Sequence, residues 1–238
     1  MGNIPWRRKM EGFEYIRSNY DSLLAEVASL SEKAGREITL VAVTKSGSDE
    51  EILALAKAGV ADVGENRPGE LKRRGDLMRG AGYTPRLHEI GNLQRNKVKL
   101  IIEDVYLIHS LDSLALAAEI DKQARRVGRT VPVLIEINSA REEQKGGVLP
   151  EEAEDFLLSL REFPSITVAG LMTMGPVCET AEEMRPYFRA TKELFDRLNR
   201  NHGFVGGILS MGMSDSYAVA IEEGATLIRV GRKLFNRE

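Results

Sequence analysis

Eight short apolar runs, separated by amphipathic helical patterns, constrain this chain more than any other feature. They are Ile38–Val43, Ala61–Gly64, Leu87–Gly91, Val105–His109, Val131–Asn138, Val168–Met174, Ile208–Met211 and Leu227–Val230. Helical patterns lie between them, at Asp49–Ala58, Leu93–Ile102, Ser113–Val127, Pro150–Glu162, Ala181–Asn201 and Ser214–Glu223. Near-continuous apolar strands alternating with such helices predict a parallel sheet covered on both faces. Eight units fit a closed α/β structure, a (β/α)₈ or TIM barrel. The alternative is an open doubly wound sheet, and against it no Gly-x-Gly-x-x-Gly follows the first strand.

The 238 residues suffice for one such barrel, and no Pro/Gly/Ser-rich linker divides them. We therefore expect a single domain over 1–238. Its first 35 residues carry an extra helix (about 8–34) whose apolar face is Phe13, Ile16, Leu23, Leu24, Val27 and Leu30. A net charge of −3 gives no electrostatic pull toward nucleic acid. The single cysteine, Cys178, and three widely spaced histidines offer no metal-ligand spacing, so no metal is expected. No apolar run is long enough to span a bilayer, and no signal peptide or myristoylation pattern opens the chain. These readings point to a cytoplasmic protein with neither nucleic acid nor membrane as partner.

In a barrel the strand C-termini share one rim, and function resides there. In order the rim reads Thr44-Lys45, Glu65-Asn66, His88 to Asn92, His109-Ser110, Asn138, Thr173, Ser210 to Ser214 and Arg229 to Arg232. Two of these segments, Leu209-Ser-Met-Gly-Met-Ser-Asp215 and Leu227-Ile-Arg-Val-Gly231, are apolar runs ending abruptly in small or polar residues. Such turns aim backbone N–H groups at one spot and suit a phosphate. Gly212 and Gly231 would let the backbone approach it closely, and Ser210 and Ser214 bracket the first turn. A Ser or Asp there also serves simply as the cap of the helix that follows.

Lys45, at the end of Leu40-Val-Ala-Val43, either snorkels to water or sits desolvated as the amine of a Schiff base. Arg229 lies within an apolar strand and needs an acceptor, whether a ligand or a barrel carboxylate such as Glu65 or Glu89. His88 reads on its own as a satisfied core histidine. Met172, Met174, Met211 and Met213 read as packing residues.

Taken together, Leu40-Val-Ala-Val-Thr-Lys45, Gly64-Glu-Asn66, His88-Glu-Ile-Gly-Asn-Leu-Gln-Arg-Asn-Lys-Val-Lys99, Ile108-His-Ser-Leu-Asp112, Gly170-Leu-Met-Thr-Met174, Leu209 to Asp215 and Arg229-Val-Gly231 resemble the YggS-type pyridoxal phosphate homeostasis proteins. Their fold is similar to the barrel domain of alanine racemase. The resemblance implies that pyridoxal 5′-phosphate is held as a covalent aldimine on Lys45. It implies that Ser214 and the backbone near Gly212, Gly231 and Arg232 hold the phosphate, and that Arg229 faces the pyridine nitrogen. The pocket it implies also takes in Asn66, His88, Met172, Thr173, Ser210 and Met213. The chain departs from the family pattern in Ser46-Gly-Ser48 after the lysine, in Arg232 after Arg-Val-Gly, and in Phe235-Asn236 near its end.

An arginine opposite the ring nitrogen makes the ring a poor electron sink, and a racemase also needs a second acid/base. The expectation is therefore a monomeric cofactor carrier with no catalytic residues, passing pyridoxal phosphate to apoenzymes that depend on it. The alternatives are a slow amino-acid racemase, or another pyridoxal-dependent activity, with Lys45 as sole base, and a Schiff-base aldolase acting on a phosphosugar.

Overall fold

The computed structural model describes residues 12–142 and 144–237. Eight parallel strands close on themselves in sequence order, β1 (Thr39–Val43), β2 (Asp62–Glu65), β3 (Arg86–Glu89), β4 (Val105–Leu111), β5 (Val131–Glu136), β6 (Ile166–Met172), β7 (Ile208–Ser210) and β8 (Leu227–Val230), and β8 pairs back onto β1. The expected barrel is what forms. Each strand lies on its predicted run, with no end shifted by more than two residues.

Alternation along the strands sorts side chains into two layers. Val41, Leu107, Leu134, Ala169, Met172 and Leu227 pack together inside the barrel. Leu40, Ala42, Val63, Leu87, Ile108, Val133, Leu171, Leu209, Ile228 and Val230 belong to the larger layer beneath the helices. Polar residues, His88 and His109 among them, also enter the lumen.

The helices are α1 (Glu14–Ala34), α2 (Asp49–Lys57), α3 (Pro68–Gly80), α4 (Leu114–Arg126), α5 (Ala153–Ser159), α6 (Arg185–His202), α7 (Tyr217–Glu222) and α8 (Arg232–Phe235). Residues 8–11 of the predicted first helix lie outside the described residues. α1 packs on α2, α7 and α8 through Ile16, Tyr20, Leu23 and Val27. Tyr20 takes the place on this face expected of Leu24, which is 40% exposed. The pattern at 93–102 forms only a 3₁₀ turn, Arg95–Leu100, and α3 was not foreseen. Its Pro68 at the first turn is a start signal, but three glycines within it blur the periodicity. No helix among the described residues is long and apolar enough to cross a membrane.

α2 begins with a reciprocal cap that fixes the chain just after Lys45. The Ser48 hydroxyl accepts the Glu51 N–H at 3.3 Å, and the Glu51 carboxylate accepts the Ser48 N–H at 2.7 Å. Ser48→Ala is expected to cost about 1 kcal/mol, read as a lower urea midpoint with an unchanged slope.

Candidate functional site

At the C-terminal end of the strands lies a cavity of about 880 Å³, lined among others by Lys45, Asn66, Glu136, Lys145, Ser214 and Arg229. Lys45 stands two residues past the inward-facing Val43. The turn carrying it is held by its neighbour Thr44, whose N–H reaches the Gly64 carbonyl at 3.0 Å and whose hydroxyl donates to Glu65 at 2.7 Å. The Gly47 N–H returns to the Thr44 carbonyl at 3.0 Å and closes the turn.

Arg229 rises from the third position of β8 into the floor of the cavity, 4% exposed. Its expected carboxylate partners, Glu65 and Glu89, lie on the opposite face of their strands and do not meet it. Instead one guanidinium nitrogen donates to the Ser210 hydroxyl and another to the Thr173 carbonyl at 3.2 Å. Both acceptors are neutral. Burial lowers the guanidinium to about 10, and the nearby Glu136 opposes that shift, so Arg229 remains a cation at neutral pH. Burial pushes Glu136 up to about 7, with Asp112 adding to the rise and Arg229 working against it.

Two further cations line the cavity but are neutralised. Lys145 pairs with Glu142 at 2.8 Å, and Arg232 pairs with Asp215 on the exposed rim. Among the described residues, Lys45 and Arg229 are thus the cavity's cations without a carboxylate partner. With Glu136 only partly ionised, the cavity favours an anion.

The two closing turns meet as the sequence predicted, with different internal bonding. The Ser214 hydroxyl accepts the Gly231 N–H at 3.3 Å, joining the β7 turn to the β8 turn. It does not cap a helix, because α7 begins only at Tyr217 and the cap position falls on Ser216. The Ser216 and Tyr217 N–H groups both return to the Met213 carbonyl at 2.9 Å. The Ser214 and Asp215 amides stand ahead of that closure, with no backbone acceptor among the described residues.

Of the twelve residues singled out, Lys45, Asn66, Met213, Ser214, Arg229, Gly231 and Arg232 line this one cavity. The other five do not. Ser210 and Thr173 lie beneath it as the supports of Arg229, and Gly212 is packed against Tyr217 and Ala220. Met172 is sealed in the barrel lumen. His88 is likewise in the lumen, bonded to Asp62 and His109, because its strand position points inward one layer below the mouth. Glu136 and Lys145 were missed. Glu136 has Leu134's parity at the end of β5, a signal the sequence carried, whereas the rim residue chosen there, Asn138, is consumed by its own turn to Glu142. The lysine at 145 reaches the cavity only through the fold of that turn.

A sequence model of the family described as "Alanine racemase, N-terminal domain" matches residues 18–236. The pyridoxal phosphate homeostasis protein of Aquifex aeolicus (strain VF5) is 41% identical over 216 residues, covering 90% of this chain and 94% of that one. The chain belongs to the pyridoxal phosphate homeostasis family. Among solved structures, PipY of Synechococcus elongatus PCC7942, determined with PLP bound, superposes with a TM-score of 0.81. It is 29% identical and covers 93% of this chain and 100% of its own. An alanine racemase of Clostridium difficile 630 shares the fold (TM-score 0.72, 21% identity), with 94% of this chain matching 56% of that one.

Proposed function

We propose that this protein binds pyridoxal 5′-phosphate in the barrel mouth and serves the homeostasis of that cofactor without robust turnover. One observation carries the reading. Lys45 and Arg229, two cations with no paired carboxylate, share a cavity with the Ser214–Gly231 junction, bringing an amine, a fixed guanidinium and two closing turns to one place. The bound cofactor supplies a reactive aldehyde and an electron-withdrawing pyridine ring.

The chain's own residues then take defined roles. Lys45 Nζ would hold the aldehyde carbon covalently, the carbonyl oxygen leaving as water. The Ser214 hydroxyl and the amides of Ser214 and Asp215 would take the phosphate, with the Gly231 N–H holding that hydroxyl in place. Arg229 would donate to the ring nitrogen and so keep a proton off it, which suits storage better than carbanion chemistry. Arg232, already paired with Asp215 on the exposed rim, is not a direct phosphate ligand. The reading includes a cytoplasmic monomer that hands the cofactor to apoenzymes requiring it.

The test is the absorbance of purified protein titrated with pyridoxal phosphate, beside Lys45→Ala, followed by borohydride reduction and peptide mapping. A yellow band and a reduced adduct at residue 45, both absent from the variant, are expected. A variant that keeps the band removes Lys45 from this role. A racemase reading stands or falls on α-deuterium loss from labelled amino acids, and no exchange is expected.

A further inference from the structure

The barrel lumen holds a row of polar side chains that the cofactor site itself does not use. Arg86 pairs with Asp62 Oδ2 at 2.5 Å, and Asp62 Oδ1 lies 2.9 Å from His88 Nε2. His88 Nδ1 lies 3.0 Å from His109 Nε2, and His109 Nδ1 lies 3.0 Å from Ser210 Oγ. Ser210 Oγ in turn accepts from Arg229. The row starts at the first residues of β2 and β3, crosses the lumen from β4 to β7, and ends at the mouth. Asp62, His88, His109, Ser210 and Arg229 are all buried.

Buried groups of this kind must be matched donor to acceptor. The charge of Asp62 is already balanced by Arg86, whose guanidinium lies 5.3 Å from the centre of the Tyr106 ring. His109 faces no carboxylate. Burial holds both imidazoles below the ordinary histidine range, so both are neutral at pH 7. A neutral imidazole has one donor nitrogen and one acceptor nitrogen. Because the Asp62 carboxylate only accepts, His88 carries its proton on Nε2 and its Nδ1 accepts. His109 must then donate from Nε2, which leaves its own Nδ1 as an acceptor. The Ser210 hydroxyl gives its proton to that nitrogen and turns a lone pair to Arg229. Reversing any one link places two donors or two acceptors face to face.

We infer that Asp62, His88, His109 and Ser210 form a one-directional hydrogen-bond relay that positions the Arg229 guanidinium at the floor of the cavity. The four are positioning residues, acting through Arg229. Together with the Thr173 carbonyl, the relay holds the guanidinium from two sides with neutral acceptors, fixing its direction while leaving its charge for the ligand. The consequence for pyridoxal phosphate rests on the reading of the cavity given above, whereas the relay itself does not.

Two measurements decide it. Long-range ¹H–¹⁵N spectra of the imidazoles in the ligand-free protein are expected to show His88 and His109 both neutral with the proton on Nε2. An Nδ1–H form or an imidazolium at either residue overturns the relay, whether or not the protein binds the cofactor. Pyridoxal phosphate titrations then compare His109→Asn, whose side-chain oxygen can take the Ser210 proton, with His109→Leu, which cannot. The Leu variant is expected to raise Kd about tenfold and the Asn variant less than about threefold. Equal losses, or none in the Leu variant, overturn the positioning role. If the Leu variant does not fold, the tautomer spectra of the native protein still decide. Failure of the native protein to bind pyridoxal phosphate sinks the cofactor reading alone.

Discussion

Replacing Gly212 with alanine is expected to destabilise the protein by about 4 kcal/mol and to abolish cofactor binding together with it. Gly212 sits at φ +91°, where an L side chain is strained. A methyl there would stand 2.6 Å from Ala220 Cβ and 2.9 Å from Tyr217 Cα, so backbone has to move. Strain of about 1–2 kcal/mol and overpacking of about 1–3 kcal/mol act together at this site. The turn cannot shift freely, because the Gly212 carbonyl accepts the Arg229 N–H at 3.1 Å. A displaced Gly212 therefore drags Arg229 while it reshapes the Met213–Ser214 cradle. Gly128→Ala provides the comparison. That glycine is also left-handed, at φ +66°, but nothing lies within 4 Å of the added carbon. It is expected to lose only about 1 kcal/mol and to bind normally. Urea unfolding and a pyridoxal phosphate titration of the two variants settle the matter, and equal losses would show that strain, not the clash, governs the turn.

Glu89→Gln is expected to stabilise the protein, increasingly so as the pH rises. Glu89 lies on the outer face of β3, fully buried. One carboxyl oxygen accepts the Gly91 N–H at 3.2 Å, and the other has no partner. Burial, with Glu65 adding to it, pushes this carboxyl up to about 8 from 4.5. The folded protein thus retains a proton that the unfolded chain releases. Between those two values the folded state binds more protons, so this group's contribution to stability falls as pH rises and levels off above 8. A glutamine mimics the neutral acid without that proton demand. Its advantage is expected to be under about 1 kcal/mol at pH 5 and about 3 kcal/mol at pH 7, the latter roughly 8 °C in Tm. Other titrating groups cancel in the comparison. Equal melting temperatures at pH 8, or a larger gain at pH 5, would show that Glu89 is ionised in the fold.

Much of the fold was legible because parallel strands buried on both faces leave a simple mark, an apolar run that ends where the chain reaches the rim. Lys45, Ser214 and Gly231 were found by that route. The errors cluster where position along a strand does not fix depth or direction. His88 and Met172 share the inward parity of rim residues but are packed within the lumen. Ser214 resembles a helix cap in the chain, yet in the fold it joins two separate turns. Glu136 is masked in the sequence because the apolar run from Val131 continues through Ile137 to Asn138, whereas β5 ends at Glu136.

Eight apolar runs in succession are legible in the chain, and with them the barrel and the rim that collects Lys45, Asn66 and the two closing turns. Those follow from local periodicity and chain order. How Arg229 is held comes instead from packing across the barrel. Its partners come from β6 and β7, and the row that fixes Ser210 crosses the lumen from β4. Strand tilt and stagger set which residues face one another across a closed barrel, and no local pattern carries that information.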